Sequence, residues 1–330
     1  MQAARPVTEW PAGRTSRRVF ETATQGPYGP VRLLLAPVEQ LYSAVMFVRN
    51  QGYDHGLLRK RRVAVPVISV GNIVAGGAGK TPVTRWLTEQ LLARGRRPAI
   101  LHGGYGADEP KLHQQWHPDV LVIANRDRVA AAQHAMDGGA DVIILDDAFQ
   151  HRRLARDLDI VLLAAETTNL HLLPRGPGRE PLRSLARSNF VLVTRKIAST
   201  DRALVLETTV HKVAPGIPTG RVLLKLATPP PTRPVVAVTS IARPDLFLEQ
   251  LRAQGAQVER MLAYPDHFAY TPADASYIAQ RAVDHLLVTT AKDAVKLREL
   301  LPDQPLHVME QEVVFENGAG ALLTALDNVL

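Results

Sequence analysis

The sequence predicts an α/β fold with a parallel sheet covered by helices on both faces, a second smaller α/β lobe and an N-terminal apolar helix. Three observations support this prediction. Short β-branched runs alternate with helical stretches from residue 63 onward, a glycine-rich loop joins the first such run to a helix, and a proline-rich connector interrupts the pattern at residues 228–232. The length of 330 residues also exceeds that of one average domain.

Composition and charge exclude several classes of protein. With 46% hydrophobic and 22% charged residues, the chain has the composition of a soluble globular protein, and no apolar run reaches the length of a spanning helix. It contains no cysteine, which excludes disulfides, thiolate metal sites and cysteine nucleophiles. The net charge of +7 is concentrated before residue 63. This distribution predicts an anionic partner near the N-terminus and does not suit nucleic-acid binding over one broad face.

The N-terminal region has two parts. Residues 1–30 show no apolar period and are predicted to form a flexible arm. Residues 31–62 are predicted to form a membrane-interface helix and a basic turn, because an apolar stretch broken by charged residues and proline precedes the run Arg-Lys-Arg-Arg at 59–62. The alternative is a helix packed on the protein's own core, followed by a solvated basic turn.

Two lobes follow this region. Residues 63–228 are predicted to form a nucleotide-binding domain and residues 229–330 a C-terminal α/β lobe. The predicted strands lie at residues 63–70, 98–101, 120–124, 141–145, 160–164, 190–194, 235–239 and 286–290. The predicted helices lie at residues 82–94, 126–136, 245–254 and 271–282.

The glycine-rich loop is the strongest single motif. It consists of Val74, Ala75, Gly76, Gly77, Ala78, Gly79, Lys80 and Thr81. It ends in Gly-Lys-Thr, as a phosphate-binding loop does, although the standard pattern has glycine at position 74. The glycines let backbone N–H groups approach phosphate, the lysine adds charge, and the threonine can bind Mg²⁺. The alternative is an exposed glycine-rich turn, but the flanking strand and helix favour a P-loop NTPase-type sheet that binds ATP.

Two acidic motifs follow. Asp146 and Asp147 end an apolar strand, where carboxylates beside a phosphate loop hold Mg²⁺ directly or through water. The alternative is that they cap the next helix, and the sequence does not decide which of the two binds the metal directly. Asp108 is predicted to lie in a glycine-rich loop at a strand end, where it can accept a proton from an attacking hydroxyl. The alternative there is a turn capped by aspartate.

Taken together, these motifs resemble the tetraacyldisaccharide 4'-kinase family, the lipid A 4'-kinases of Gram-negative bacteria. The family's PVISVGN and GGxGKTP segments are similar to residues 65–72 and 76–82, and its DDGFQHRRLARDLDIVLL block is similar to residues 146–163, with Ala148 in place of glycine. Its LPxGPLREP segment resembles residues 173–181. Further similar segments lie at residues 241–244, 264–268 and 289–294.

The resemblance implies transfer of the γ-phosphoryl group of ATP, with Mg²⁺, to the 4'-hydroxyl of an acylated glucosamine disaccharide 1-phosphate. It also implies a peripheral protein at the cytoplasmic face of the bacterial inner membrane, with an anionic membrane surface as partner and neither nucleic acid nor an obligate protein partner. The resemblance implies Asp108 as the catalytic base and His267 as its partner from the second lobe. Lys80 and Asp147 of the motifs described above are the other predicted catalytic residues. Arg179 and Glu180 are expected near the phosphates or the acceptor.

The chain also departs from the family pattern. The family's RGYG and GDEP motifs run together at residues 103–110, so a segment is missing, and His102-Gly103 stands where Ser-Arg is usual. Ala164 replaces an aspartate. A second function class therefore stays open at this point: a P-loop ATPase switch or metallochaperone without a hydroxyl acceptor.

Overall fold

The structure, a computed structural model, describes residues 8–11, 34–104, 106 and 108–330. In chain order the strands are β1 (Thr8–Pro11), β2 (Val67–Asn72), β3 (Pro98–His102), β4 (Leu121–Ala124), β5 (Val142–Asp146), β6 (Leu158–Ala164), β7 (Phe190–Arg195), β8 (Thr219–Leu226), β9 (Val235–Thr239), β10 (Val258–Ala263), β11 (Leu286–Thr290), β12 (Leu306–Met309) and β13 (Gln311–Asn317). The α-helices are α1 (Ala36–Asp54), α2 (Lys80–Ala93), α3 (Asp108–Trp116), α4 (Arg128–Asp137), α5 (Thr200–Val213), α6 (Pro244–Ala253), α7 (Pro272–Arg281), α8 (Ala291–Leu300) and α9 (Ala319–Asp327).

The described chain divides into two compact units. The larger unit contains residues 34–224 and 313–330, and the smaller unit contains residues 8–11 and 225–312. This division differs from the predicted one in two places. The boundary falls within β8 and not after residue 228, and residues 313–330 belong to the larger unit instead of the C-terminal lobe.

The predicted flexible arm also needs a correction. Most of residues 1–30 lie outside the described residues, but Thr8–Pro11 form strand β1, which pairs antiparallel with β10 at the edge of the smaller sheet. A strand of four residues without apolar alternation carries no sequence signal of its own. Its conformation comes from the ladder that β10 offers.

The larger unit is built on an eight-stranded sheet in the order β13-β8-β7-β6-β2-β5-β3-β4. The pairs from β8 to β4 are parallel. Strand β2 is central, with β5 on one side and β6 on the other. The loops that follow β2, β3 and β5 therefore leave the same edge of the sheet, where parallel α/β proteins bind their ligands.

Helices cover both faces of this sheet, as predicted. Val70 of β2 packs in one core cluster with Leu87 of α2 and Leu322 of α9. Val67 of the same strand points to the other face, where it packs in a cluster with Ala132 of α4. Buried apolar residues on both faces account for the continuous apolar strands that were visible in the sequence.

Strand β13 and helix α9 return the end of the chain to the larger unit. Three observations explain this return. Leu322 and Leu326 are almost fully buried in the same cluster as β2 and α2, and Gly318 packs so closely on Gly220 that a Cβ at position 318 would lie 2.5 Å from the Gly220 Cα atom. The carboxylate of Glu316 also pairs with the guanidinium groups of Arg195 and Arg221.

Replacing Glu316 by glutamine is expected to lower the free energy of unfolding by about 2 kcal/mol, because it removes charged hydrogen bonds to two arginines that are largely shielded from water. Urea denaturation at pH 7 measures this change. The matched control is Glu312→Gln on the same strand, where the Lys225 pair is exposed and 3.7 Å long. We expect the control to change stability by less than about 0.5 kcal/mol.

The same ion pair predicts a pH dependence. The hydrogen bond from Arg195 lowers the pKa of Glu316 below its ordinary value of 4.5. A carboxyl whose pKa is lower in the folded protein stabilises it above the unfolded pKa and loses this contribution as the pH falls through the folded pKa. The difference between the wild-type protein and Glu316→Gln should therefore shrink below about pH 4.5. A difference that grows on acidification would contradict this assignment.

The smaller unit contains a five-stranded sheet in the order β1-β10-β9-β11-β12. Strands β9 to β12 pair in parallel within it. Helix α6 packs on one face through Phe247 and Leu251, and α7 packs on the other face through Ile278. The strands and helices predicted for this lobe at residues 235–239, 245–254, 271–282 and 286–290 are present with bounds that differ by one residue at most.

Candidate active site

The loop between β2 and α2 has the backbone conformation of a phosphate cradle. Gly76, Gly77 and Gly79 all have positive φ angles, of 79°, 60° and 83°. Gly79 directly precedes α2, and a Cβ there would lie 2.2 Å from the Leu224 Cδ1 atom, so only glycine fits. Lys80 is the first residue of α2. The loop thus ends at a helix N-terminus, where backbone N–H groups and the helix dipole favour an anion.

Residues from neighbouring segments hold this loop through its backbone. The Thr194 hydroxyl, at the end of β7, donates to the Ala78 carbonyl at 2.9 Å, and the Lys196 ammonium donates to the Gly77 carbonyl at 3.2 Å. The Ala75 N–H donates to the Pro177 carbonyl at 2.8 Å. These bonds fix the loop before any ligand enters, which reduces the ordering that binding requires.

Three of the predicted site residues meet beside the loop. Arg179 Nη1 donates to Asp147 Oδ1 at 2.8 Å, and Lys80 Nζ lies 3.7 Å from the same oxygen. Asp147 has a φ of 52°, which is uncommon for a residue other than glycine and concentrates at functional sites. Two cations and one carboxylate therefore converge on the phosphate-binding loop.

The side chain of Asp146 has different neighbours from that of Asp147, although the two residues are adjacent in the chain. Its carboxylate is buried, and Oδ2 lies 3.5 Å from His113 Nε2 and 3.8 Å from His102 Nδ1. Burial alone raises the pKa of Asp146, but the two histidines and Lys80 outweigh it and lower the pKa below its ordinary value. Burial lowers the pKa of His102 to about 4, so its imidazole is neutral at pH 7.

Asp108 was expected in a loop, and the structure corrects this expectation. Asp108 is the first residue of α3, it is buried, and its Oδ1 accepts a hydrogen bond from the Glu109 N–H at 3.2 Å. Proline in the first turn of a helix loses no intrahelical hydrogen bond, so Pro110 is compatible with this start. The helix nevertheless spans only nine residues, which leaves little periodic signal in the sequence.

Glu180 anchors helix α1 to the site. Its carboxylate pairs with Arg187 at 2.7 Å and also accepts hydrogen bonds from Asn50 on α1 and from Gln150. The backbone carbonyl of the preceding residue, Arg179, accepts a hydrogen bond from the Tyr42 hydroxyl of α1 at 2.9 Å. The segment that carries Arg179 thus connects α1 to the phosphate-binding loop.

His267 belongs to the smaller unit, whereas Asp108 belongs to the larger unit. His267 has a φ of 58°, and its N–H donates to the Ser240 carbonyl at 3.0 Å. Lys292 Nζ lies 3.2 Å from His267 Nε2. The pairing of His267 with Asp108 stays a prediction.

Sequence reasoning assigned no role to several residues of this site. His102 and His113 lie beside Asp146, Gln150 Nε2 donates to the Asn72 carbonyl, and Tyr42 and Asn50 connect α1 to residues 179–180. The polar residues within the apolar stretch of α1 were the available signal. In α1 these polar side chains face the rest of the larger unit, contrary to the usual arrangement of a surface helix.

Comparison with known proteins identifies relatives over most of the chain. A family model, LpxK, described as tetraacyldisaccharide-1-P 4'-kinase, matches residues 31–111 and 107–330. The tetraacyldisaccharide 4'-kinase of Anaeromyxobacter sp. strain Fw109-5 is 37% identical over 348 residues, covering 90% of this chain and 92% of that protein. That of Bdellovibrio bacteriovorus is 32% identical, covering 87% of this chain and 96% of that protein.

A solved structure is also similar. The crystal structure of "apo" form LpxK from Aquifex aeolicus in complex with ATP has a TM-score of 0.72 and 27% sequence identity, covering 91% of this chain and 99% of that chain. The alignment with the Anaeromyxobacter protein is longer than the 330 residues of this chain, so this chain lacks residues that its relative has.

Proposed function

The chain belongs to the tetraacyldisaccharide 4'-kinase family, and from this premise we propose that it transfers the γ-phosphoryl group of ATP to the 4'-hydroxyl of a tetraacyldisaccharide 1-phosphate in lipid A biosynthesis. The observation that carries the proposal is the convergence of Lys80, Asp147 and Arg179 at a glycine loop that is already shaped for phosphate. Phosphoryl transfer needs positioned charges more than covalent chemistry from the protein, and this cluster supplies them.

The residues present fit ATP and Mg²⁺. Left-handed glycines and the start of α2 suit a triphosphate, and Lys80 and Arg179 are the cations that would face its negative charge. Thr81 and Asp147 offer the oxygen ligands that Mg²⁺ prefers. The carboxylate of Asp146, the other predicted ligand, faces His102 and His113 instead. When bound, Mg²⁺ neutralises charge that develops on the phosphate oxygens. Arg179 and Lys80 hold the Asp147 carboxylate at the loop edge.

The transfer step is a single displacement. The 4'-hydroxyl oxygen forms a bond to the γ-phosphorus, the bond from that phosphorus to the β-γ bridging oxygen breaks, and ADP leaves. Asp108 accepts the hydroxyl proton, a role for which a carboxylate is suited within hydrogen-bond distance of the acceptor. His267 is proposed to orient Asp108 and balance its charge in the working enzyme.

The orientation of the side chains on helix α1 supports the proposal that the substrate carries acyl chains. Its polar side chains form hydrogen bonds with the rest of the larger unit; they are Glu39, Tyr42, Arg49 and Asn50. For example, Arg49 Nη2 donates to the Gln150 carbonyl at 2.6 Å. Its apolar side chains point the other way, to the surface. Val38, Leu41, Val45 and Val48 of the helix, and Leu34 just before it, are between 47% and 75% exposed and recur every three or four residues. This reverses the usual arrangement, in which the apolar face of a surface helix packs on the core.

We propose that this exposed stripe, formed by Leu34, Val38, Leu41, Val45 and Val48, inserts into the membrane interface. No helix among the described residues has the length and hydropathy to cross a bilayer. The residues of the basic turn, 59–62, are exposed and follow α1 closely, so they can meet anionic headgroups. The proposed location is the cytoplasmic face of the bacterial inner membrane, where the protein is peripheral and an anionic surface is its partner.

The triple variant Leu41→Asp, Val45→Asp, Val48→Asp is expected to bind vesicles that contain anionic lipids at least about tenfold more weakly than the wild type, because it places three charges in the apolar interface. Co-sedimentation with vesicles measures this binding. The matched control is Val205→Asp on α5, where a valine is 67% exposed outside the stripe. Equal loss in the control, or none in the triple variant, would contradict membrane docking.

An assay of the purified protein tests the proposed activity. With γ-labelled ATP, Mg²⁺ and the acylated disaccharide 1-phosphate, label is expected in the lipid fraction, and it should depend on the disaccharide. Release of labelled phosphate at the same rate with and without the disaccharide would instead support an ATPase switch. A matched substrate that lacks the 4'-hydroxyl should accept no label.

A further inference from the structure

A buried cluster next to the phosphate-binding loop has no role in the proposed transfer. It consists of His102 at the end of β3, His113 in α3 and Asp146 at the end of β5, which are 4%, 0% and 1% exposed. One ligand atom from each residue lies within 4.8 Å of the other two. Two imidazoles and a carboxylate thus face one another in a site closed to solvent.

The polar atoms of this cluster lack hydrogen-bond partners. Among the described residues, His102 Nε2, both ring nitrogens of His113 and both carboxylate oxygens of Asp146 have no partner in hydrogen-bond geometry. An unsatisfied buried polar atom costs about 1–3 kcal/mol, and several in one place call for an ion or ordered water. These five atoms therefore form a group that an ion or ordered water would satisfy.

The spacing of the three ligand atoms is somewhat wider than that of an occupied tetrahedral metal site. Bonds of about 2.05 Å to nitrogen and oxygen place neighbouring ligand atoms about 3.3 Å apart at tetrahedral angles. The Asp146 Oδ2 atom lies 3.5 Å from His113 Nε2 and 3.8 Å from His102 Nδ1. The three ligand atoms all lie within 4.8 Å of one another, so the side chains would draw together around an ion. The donor set of two imidazole nitrogens and one carboxylate oxygen favours Zn²⁺ or Co²⁺ over Mg²⁺, which prefers oxygen ligands throughout.

We propose that His102, His113 and Asp146 bind one divalent transition-metal ion of the Zn²⁺ class, separate from the Mg²⁺ that accompanies ATP. The ion would tie three elements together: β3, β5 and the helix that begins with Asp108. It would thereby fix the start of α3 relative to the sheet edge. Asp146 then serves this ion, and Asp147 faces the phosphates. The inference concerns metal binding, so it stands or falls separately from phosphoryl transfer.

Co²⁺ binding to the purified tag-free protein tests the proposal. After chelation and dialysis, the wild type is expected to bind one equivalent of Co²⁺ with the visible absorption of a tetrahedral site, and Zn²⁺ should displace it. His102→Asn and His113→Gln should each lose the absorption. His134→Asn is the control, because His134 is an exposed histidine on α4. Asp147→Asn should keep the absorption.

Three results would overturn the proposal: no stoichiometric Co²⁺ binding by the wild type, full binding by both histidine variants, or loss of binding only in Asp147→Asn. Circular dichroism shows whether the histidine variants are folded. If they are not, X-ray absorption of the wild-type Zn²⁺ form decides. Scattering from two imidazole ligands is expected, and a spectrum without imidazole scattering would contradict the assignment.

Discussion

Asp108→Asn is expected to lower the turnover number by about 10²- to 10⁴-fold while leaving ATP binding intact, because the amide keeps the shape of the carboxylate but accepts no proton. Asp108 is buried at the start of α3, where its Oδ1 accepts a hydrogen bond from the Glu109 N–H. Steady-state transfer from labelled ATP to the acylated disaccharide measures turnover. Calorimetric titration with a non-hydrolysable ATP analogue measures binding.

The matched control for this variant is Asp119→Asn, which makes the same change at an exposed aspartate of the same unit. It should keep wild-type turnover. If Asp108→Asn turned over at the wild-type rate, Asp108 would not be the base. If ATP binding fell together with turnover, the residue would act through the nucleotide site and not through the acceptor hydroxyl.

Lys80→Ala is expected to reduce transfer by about 10²- to 10³-fold and to weaken ATP binding as well. Lys80 stands at the first position of α2, 3.7 Å from Asp147, so its ammonium lies where the charge of the triphosphate must be balanced. Removing it also leaves the Asp147 carboxylate with Arg179 alone as its cationic neighbour in this cluster. The same transfer and titration experiments measure both effects.

Two further variants sharpen the Lys80 experiment. Lys212→Ala removes an exposed lysine of α5 in the same unit and should have no effect. Lys80→Arg keeps the charge but replaces a compact ammonium by a planar fork, so an intermediate rate is expected. Transfer by Lys80→Ala within about a factor of two of the wild type would exclude the proposed role.

Together the Asp108 and Lys80 variants separate two functions of one sheet edge. Loss of turnover with retained ATP binding assigns Asp108 to the acceptor, and loss of both assigns Lys80 to the nucleotide. A P-loop switch without an acceptor predicts a different pattern. In that case Lys80→Ala would abolish ATP hydrolysis, and Asp108→Asn would leave it unchanged.

Much of the larger unit was predictable because its signals are local. The apolar runs at β5, β6 and β7 are strands whose two faces are both buried, and such strands read as continuous apolar segments. The glycines of the phosphate-binding loop were recognisable because their positive φ angles exclude most other residues. The bounds of β13 and α9, and their place in the larger unit, were not predictable, since they depend on contacts with β7 and β8 that are distant in the chain.

The candidate site was predictable in its residue types and only partly in its arrangement. Asp146 and Asp147 were treated as one pair, whereas the structure turns them to different neighbours. The positive φ of Asp147 directs its side chain to Lys80 and Arg179, and Asp146 keeps its place in the strand, where the β3–β5 register brings His102 beside it. A change of backbone conformation between two adjacent residues leaves no mark on an acidic pair in the sequence.

The sequence alone determined the alternation of strands and helices, the phosphate-binding loop and the family resemblance, because these features are written in residues close together in the chain. The tertiary structure decided which side chains meet: Arg179 with Asp147, α1 with residues 179–180, and His113 with Asp146. These contacts join residues 32 to 137 positions apart in the chain. They form only because the order of the strands and the packing of helices on both faces bring distant segments to one edge of the sheet.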